Sequence, residues 1–417
     1  MIHDLKNVPE LRFPEFKSGW KKDKLGTLIE NNTILNQSDG NHGSLYPRNS
    51  EFINSGIPYI SASNIKNNEI DFSNVKYLEM ERAKQFKKGV AQNEDVLLAH
   101  NATVGPTALL KTDYPFVILS TTLTLYRLNK DKVNNYYFLY SLQSKNIQNQ
   151  LTKLMKQTTR NQVPILLQRT MILTYPRDLE EQEKIGNFFS KLDRQIELEE
   201  KKLELLEQQK RGYMQKIFSQ ELRFKDDKGI NYPEWRYNYL GDYLILHDEK
   251  TTENNQYPVL TSSREGLFLQ KDYFTRDVAS KDNTGYNVVP YGYFTYRHMS
   301  DDLIFKFNIN YIVQKGIVST LYPVFKTTND LDNYFLKEIL NSGNEFKKYA
   351  LMQKQGGSRT YMYFSKLKKL KLHIPVLEEQ QKIGDFFSKL DSSIEKQSAK
   401  VELLKKRKQA FLQKMFV

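Results

Sequence analysis

The 417-residue chain contains no cysteine. Disulfides, thiolate nucleophiles and cysteine zinc sites are therefore excluded, and the composition fits a reducing cytoplasm. Long hydrophobic runs are missing too. No apolar stretch approaches the ~20 residues that a membrane-spanning helix needs, and the opening MIHDLKNVPE has no basic segment leading into an apolar one, so no secretory signal is expected. The six histidines, His3, His42, His100, His247, His298 and His373, make no H-x-x-x-H or H-E-x-x-H pair, which leaves a metal site without support. The phosphate-cradling G-x-x-x-x-G-K-[ST] loop is absent, and so is the Asn/Asp-Pro-Pro-Tyr/Phe stretch expected where an adenine amino group is methylated. Gly356-Gly357-Ser358-Arg359 reads as a glycine turn rather than a phosphate site. Glu200-Lys201-Lys202 matches part of a nuclease signature but lies on a heptad helix, where a solvated charged face is the simpler reading. No catalytic and no metal-binding residue is nominated.

What is present is positive charge. The chain carries 62 Lys/Arg against 49 Asp/Glu, a net +13, and 39% hydrophobic residues, enough for folded domains and too many residues for one ordinary core. Such a balance points to a polyanionic partner, most often nucleic acid. Residues 1–178 hold 23 Lys/Arg against 16 Asp/Glu and residues 221–377 hold 22 against 18, so the excess sits on globular stretches and not on a basic tail.

The chain is an internal repeat. EEQEKIGNFFSKLD starts at Glu180 and EEQQKIGDFFSKLD at Glu378; residues 180–219 and 378–417 agree at 22 of 40 positions. Glu10-Leu11-Arg12-Phe13 recurs as Glu221-Leu222-Arg223-Phe224. The only two tryptophans, Trp20 and Trp235, each stand five residues before a Leu-Gly pair. Arg160 and Arg359 each precede a proline, Pro176 and Pro375, by sixteen residues. The edges of the halves match and the middles do not, the pattern of one scaffold with two specificities. In each repeated 40-mer, eight of ten heptad positions are apolar, with no interior proline, which predicts a coiled-coil helix. The middles read as mixed α/β: β-rich runs at 57–65, 95–105 and 116–128 before a helix at 134–155, then runs at 257–263, 292–300 and 311–327 before a helix at 333–352.

Polar loops carrying Arg, Asn, Gln, Ser and Thr can read base edges and hold phosphates. The candidates for nucleic-acid contact are Ser61, Ser63, Asn64, His100, Asn101, Thr103 and Arg160 in the first half, and Ser262, Ser263, Arg264, Arg297, His298, Gln314, Lys315 and Arg359 in the second. Beside the heptad seams lie Phe188, Lys191 and Asp193, and their repeats Phe386, Lys389 and Asp391, candidates for docking a partner subunit.

The duplicated EEQ-x-KIG-x-FFSKLD helices, with the order variable domain, helix, variable domain, helix over the whole chain, resemble the specificity subunits of type I restriction–modification enzymes. The resemblance implies an α+β fold: two mixed α/β target-recognition domains (1–178 and 220–376) separated by an antiparallel two-helix coiled coil (179–219 and 377–417) with a pseudo-twofold repeat. It implies a cytoplasmic, non-catalytic chain that binds a bipartite sequence in double-stranded DNA, and partners in the form of two methyltransferase subunits and restriction subunits. S-adenosylmethionine, ATP and Mg would reside on those partners, with no cofactor on this chain. The rival readings are a single-chain restriction–methylation enzyme, opposed by the missing methylation motif, and a coiled-coil adaptor that binds protein only, opposed by the charge on the globular halves.

The polar seam residues predict a register. If antiparallel partners sum to 607, Glu199 meets Lys408, Lys210 meets Gln397 and Leu203 meets Leu404; a parallel pairing would oppose Lys210 and Lys408.

Overall fold

The computed structural model describes residues 7–158, 160–274, 282–354 and 359–417; Gly356, Gly357 and Ser358 of the glycine turn lie outside them. The chain divides into two compact units, residues 1–201 with 398–417, and residues 202–397.

In the first unit a four-stranded antiparallel sheet runs in the order Thr103–Leu109, Val96–Asn101, Leu123–Leu128, Ile34–Asp39. A five-stranded sheet (Phe52–Ile53, Lys76–Leu78, Ile57–Ile60, Val117–Leu119, Val90–Ala91) contains one parallel pairing, between Ile57–Ile60 and Val117–Leu119. The alternate side chains of these strands bury Leu97, Ala99, Leu123 and Leu125 on one side and Leu98 and Tyr126 on the other. Helices Asn135–Gln143 and Lys145–Met155 close the core.

The predicted helix 134–155 is therefore two helices. The break falls at Ser144, whose side chain turns back to cap the second helix through the Ile147 N–H at 3.4 Å. In the second unit the predicted helix 333–352 breaks at Gly343 into Asn333–Ser342 and Asn344–Met352. A Cβ there would lie 2.4 Å from the Ile339 carbonyl oxygen. The long β-rich runs are also cut by turns: 95–105 at Ala102, which takes φ +63°, and 116–128 between Leu119 and Leu123. Unit two carries its own four-stranded sheet, in the order Leu244–His247, Val324–Thr327, Phe294–Thr295, Asn308–Ile309, over a core of Phe294, Tyr296, Phe307, Phe325 and Phe335.

Both repeated segments are single helices, Leu179–Phe218 and Leu377–Lys414. In each unit the stretches of the two that belong to it run in opposite directions. In the first, Phe188 meets Phe411 with centroids 5.0 Å apart and Asp193 meets Lys408 at 2.6 Å. In the second, Tyr213 meets Phe386 at 5.0 Å and Lys210 meets Asp391 at 2.6 Å. The antiparallel sense matches the expectation; the register does not. The pairs sum to 599–601, about one heptad away from 607. Glu199 bonds to Lys400 and not to Lys408. The physical reason is that each seam lysine has a carboxylate beside the seam, Asp193 or Asp391, and a lysine stem is long enough to lie in an apolar layer while its ammonium reaches out.

Candidate nucleic-acid interface

The repeated motif forms a joint between each long helix and its unit. Glu181 is fully buried and accepts from Arg12 Nε at 2.6 Å, Arg12 Nη2 at 2.8 Å and Trp20 Nε1 at 3.2 Å. Glu379, equally buried, accepts from Arg223 Nε at 3.2 Å, Arg223 Nη2 at 2.7 Å and Trp235 Nε1 at 3.1 Å. The neighbouring glutamine holds the next helix: Gln182 accepts from the Asn134 N–H and donates to the Pro176 carbonyl, and Gln380 does the same with Asp332 and Pro375. The glycine of KIG follows from this packing, since a Cβ on Gly186 would lie 2.8 Å from Asn134 Oδ1, and on Gly384 2.4 Å from Asp332 Oδ1. The separate repeats at 10–13, 20, 176 and 180–186 are thus parts of one device.

On this frame the first-half candidates come together. The Ile60 carbonyl accepts from Ser120 N at 2.7 Å, and Ala62 N donates to Thr122 Oγ1 at 2.8 Å. His100 N donates to the Thr122 carbonyl at 3.0 Å and Asn101 Nδ2 to the Thr121 carbonyl at 3.3 Å. Ala102 N donates to the Asn161 carbonyl at 3.0 Å, while Val163 N donates to the His100 carbonyl at 2.8 Å. Four loops, Ser61–Asn64, Asn101–Thr103, Ser120–Thr122 and Arg160–Gln162, therefore share one surface. Ser63, Thr103 and Arg160 are exposed on it, and Ser61 and Asn101 half-exposed. Asn64 and His100 correct the expectation, because both are buried. Asn64 Oδ1 accepts from Ser61 N at 2.9 Å, and His100 Nδ1 bonds with Thr124 Oγ1 at 2.9 Å. They shape the loops and do not reach out of them. Burial also pushes the His100 imidazole below its usual pKa. Thr121, Thr122, Asn161 and Gln162 were missed; Ser-Thr-Thr inside an apolar β run was the available sign of a turn.

The second unit repeats the plan on a different sequence. His298 N donates to the Leu321 carbonyl at 3.3 Å and Met362 N to the His298 carbonyl at 2.7 Å, so His298 occupies the position of His100. It is buried and stacked on Tyr363, with centroids 5.0 Å apart. Ser262 is also buried, accepting from Asn308 Nδ2 at 2.8 Å. These two, like Asn64 and His100, are internal. Around them Ser263 is half-exposed and Arg264, Arg297 and Arg359 are exposed, with Arg264 at the tip of the hairpin formed by Leu260–Ser262 and Leu267–Leu269. Gln314 and Lys315 lie elsewhere: Lys315 pairs with Glu249 at 2.7 Å, at the far end of the strand Lys315–Val318 from the Ser319–Tyr322 turn that meets His298.

The docking candidates are mostly engaged inside their own units. Phe188 packs on Phe13 and Phe411, Phe386 on Phe224 and Tyr213. Asp193 accepts from Asn68 Nδ2 at 2.7 Å and Tyr140 Oη at 2.8 Å besides pairing with Lys408; Asp391 pairs with Lys210 and Lys337. Only Lys191 and Lys389 of the six are exposed. An aromatic beside the seam is drawn into the nearest apolar contact, here supplied by the repeated Arg-Phe segments. Among the described residues no cluster of three metal-ligating side chains occurs, and no helix is long and apolar enough to cross a membrane.

A family model for the type I restriction modification DNA specificity domain matches residues 17–208 and 245–403. A chain of Methanocaldococcus jannaschii provisionally named the type I restriction enzyme MjaX specificity subunit is 24% identical over 96% of this chain and 94% of its own length. The crystal structure of a type I restriction-modification system S subunit from M. genitalium superposes with TM-score 0.60 at 14% identity, covering 98% of this chain and 99% of that one. A chain from a structural study of complex assembly and conformational transition in the type I R-M system gives TM-score 0.54 at 17% identity over 96% of this chain and 98% of that one.

Proposed function

Since the chain belongs to the family of type I restriction–modification DNA specificity domains, we propose that it reads a bipartite sequence in double-stranded DNA and directs methylation and restriction by partner subunits. The observation that carries this reading is the pair of equivalent polar surfaces. Both are centred on a buried histidine, His100 or His298, with the same backbone partners, and both are anchored by the same Arg–Trp–Glu joint, yet their exposed residues differ. A repeated anchor with unlike loops is what two half-sites of different sequence require.

In this reading the target-recognition domains are residues 1–178 and 220–376, the helices 179–219 and 377–417 are spacers, and chemistry belongs to two methyltransferase subunits and to restriction subunits. S-adenosylmethionine, ATP and Mg would be bound there, and this chain holds none. Lys191 and Lys389, equivalent and exposed, remain open to identical partners. The test is binding of duplex DNA by the chain with its methyltransferase across a salt series, together with sequencing of the methylated motif in cells carrying both. A two-part motif with a fixed unread gap and steep salt dependence is expected; salt-insensitive association, or a continuous motif, would overturn the reading in favour of a protein-binding adaptor or a different reader.

A further inference from the structure

Two arginines of the second unit converge on a single acidic turn. Arg264 Nη2 donates to Oδ1 and Oδ2 of Asp302, each at 2.8 Å. Met299–Ser300 pairs antiparallel with Thr360–Tyr361 in the register Ser300 to Thr360, which sets Asp301 opposite Arg359; Arg359 Nε donates to Asp301 Oδ1 at 2.9 Å. The turn is built to present these carboxylates. Ser300 Oγ and Ile304 N both donate to Asp302 Oδ1, at 2.9 and 3.3 Å, and Leu303 is held at φ +68°, a conformation that disfavours a leucine. All four charged side chains are roughly half or more exposed.

Exposed ion pairs of this kind contribute little to stability. Two carboxylates on a surface proposed to face phosphates would also weaken affinity for any DNA. Discrimination between base pairs is the use that their chemistry fits. In the major groove a G·C pair presents guanine N7 and O6 as acceptors and cytosine N4 as a donor. An arginine gives the donors and an aspartate the acceptor, so an Arg–Asp pair matches the edge of one G·C pair. Arg359 commits only Nε to Asp301, which leaves Nη1 and Nη2 as the fork that guanine takes. A guanidinium already held at one end has less freedom to lose on binding.

We infer that Arg359–Asp301 is a carboxylate-buttressed guanine reader, and that Asp301 determines specificity in the second half-site; Arg264, whose Nη2 spans both oxygens of Asp302, has neither fork free and ties its hairpin to the turn. The inference rests on the proposed DNA-reading function. It belongs to the second unit alone: the equivalent turn of the first, Asn101-Ala102-Thr103, has no acid, and Arg160 has no ion-pair partner among the described residues.

The test is selection from a randomised duplex pool by the chain together with its methyltransferase, followed by sequencing. The parent chain should enrich a two-part motif with at least one fixed G·C pair in one part. Asp301→Asn keeps side-chain size and removes the charged acceptor. It should lower the preference at one G·C position by roughly tenfold, the size of one good base contact, and leave the other part unchanged. Arg359→Lys, which keeps the charge and loses the fork, should do so at the same position. Unchanged melting temperatures would show the variants folded. An enriched motif with no G·C in the altered part, or variants with undiminished preference, would sink the inference and leave DNA reading intact. A pool that enriches no sequence would overturn DNA reading and the inference together.

Discussion

Glu181 and Glu379 each neutralise an arginine and satisfy a buried indole N–H with one carboxylate that has no contact with solvent. Removing one partner of such a set leaves a charge buried and unpaired, which costs more than the set itself contributes. Glu181→Ala should destabilise the first unit by about 3–5 kcal/mol in urea unfolding; a loss below ~1 kcal/mol would mean that water replaces the carboxylate. Glycines make a contrast on the same helix. Gly186→Ala drives a methyl into Asn134 and Tyr136 and should cost about 1–3 kcal/mol. Gly212 has open space around its Cβ position, so Gly212→Ala should add roughly 1 kcal/mol of helix stability. Burial lowers the pKa of both His42 and His100 in the first unit. A base harder to protonate when folded binds protons preferentially in the unfolded chain. That unit should therefore lose stability as pH falls below ~6.5 and keep it above, and His100→Gln should flatten part of the slope in melting curves between pH 7 and 5. Residue types at loop ends marked the neighbourhood of both polar surfaces that are proposed to read DNA. They did not reveal direction: a strand-end histidine or serine can face out, or in toward a hydroxyl such as Thr124, and only tertiary packing decides.

The elements were more legible than their joints. The heptad pattern located both long helices, because an apolar stripe sustained over four and a half heptads has few other uses. Their antiparallel sense was reachable too, from the cost of opposing Lys210 and Lys408. The register was not, because counting only seam residues ignored Asp193 and Asp391 one step outside the stripe. Those carboxylates are the actual partners of Lys408 and Lys210, at 2.6 Å in each case, with the lysine side chains only 14% and 19% exposed. A half-buried pair of this kind should be coupled. A double-mutant cycle on Asp193→Ala and Lys408→Ala should give an interaction of roughly 1–2 kcal/mol, above the range of exposed pairs. A value near zero would mean that the Asn68 and Tyr140 contacts to Asp193 do the holding. The breaks at Ser144 and Gly343 were written in the sequence as a capping residue and a glycine. A helix pattern continuous in its apolar residues concealed them.

At the scale of the whole molecule, the long helices, repeated at a spacing of 198 residues, and the Arg–Trp–Glu joints that hold them are present twice, while the loops proposed to read DNA differ. On the proposed function, such a chain can vary what it reads without altering how far apart it reads, provided that separation is set by the spacer helices alone. If the proposed two-part reading holds, a coiled-coil spacer of ~29 residues, about 43 Å long, predicts half-site centres roughly 13 base pairs apart. Deleting one heptad from both helices removes ~10 Å, about three base pairs. A whole heptad restores the same faces to the seam, so the Arg–Trp–Glu joints and both loop clusters should stay intact. The deleted chain should therefore select the same two half-sites with a gap about three base pairs shorter, read from methylated motifs in cells that carry it with its methyltransferase. A deletion of four residues instead turns the distal helix by about 40° from the seam and should abolish selection rather than shift it. If the seven-residue deletion changes either half-site, the units do not read independently. If it leaves the gap unchanged, the spacing is fixed by something other than helix length.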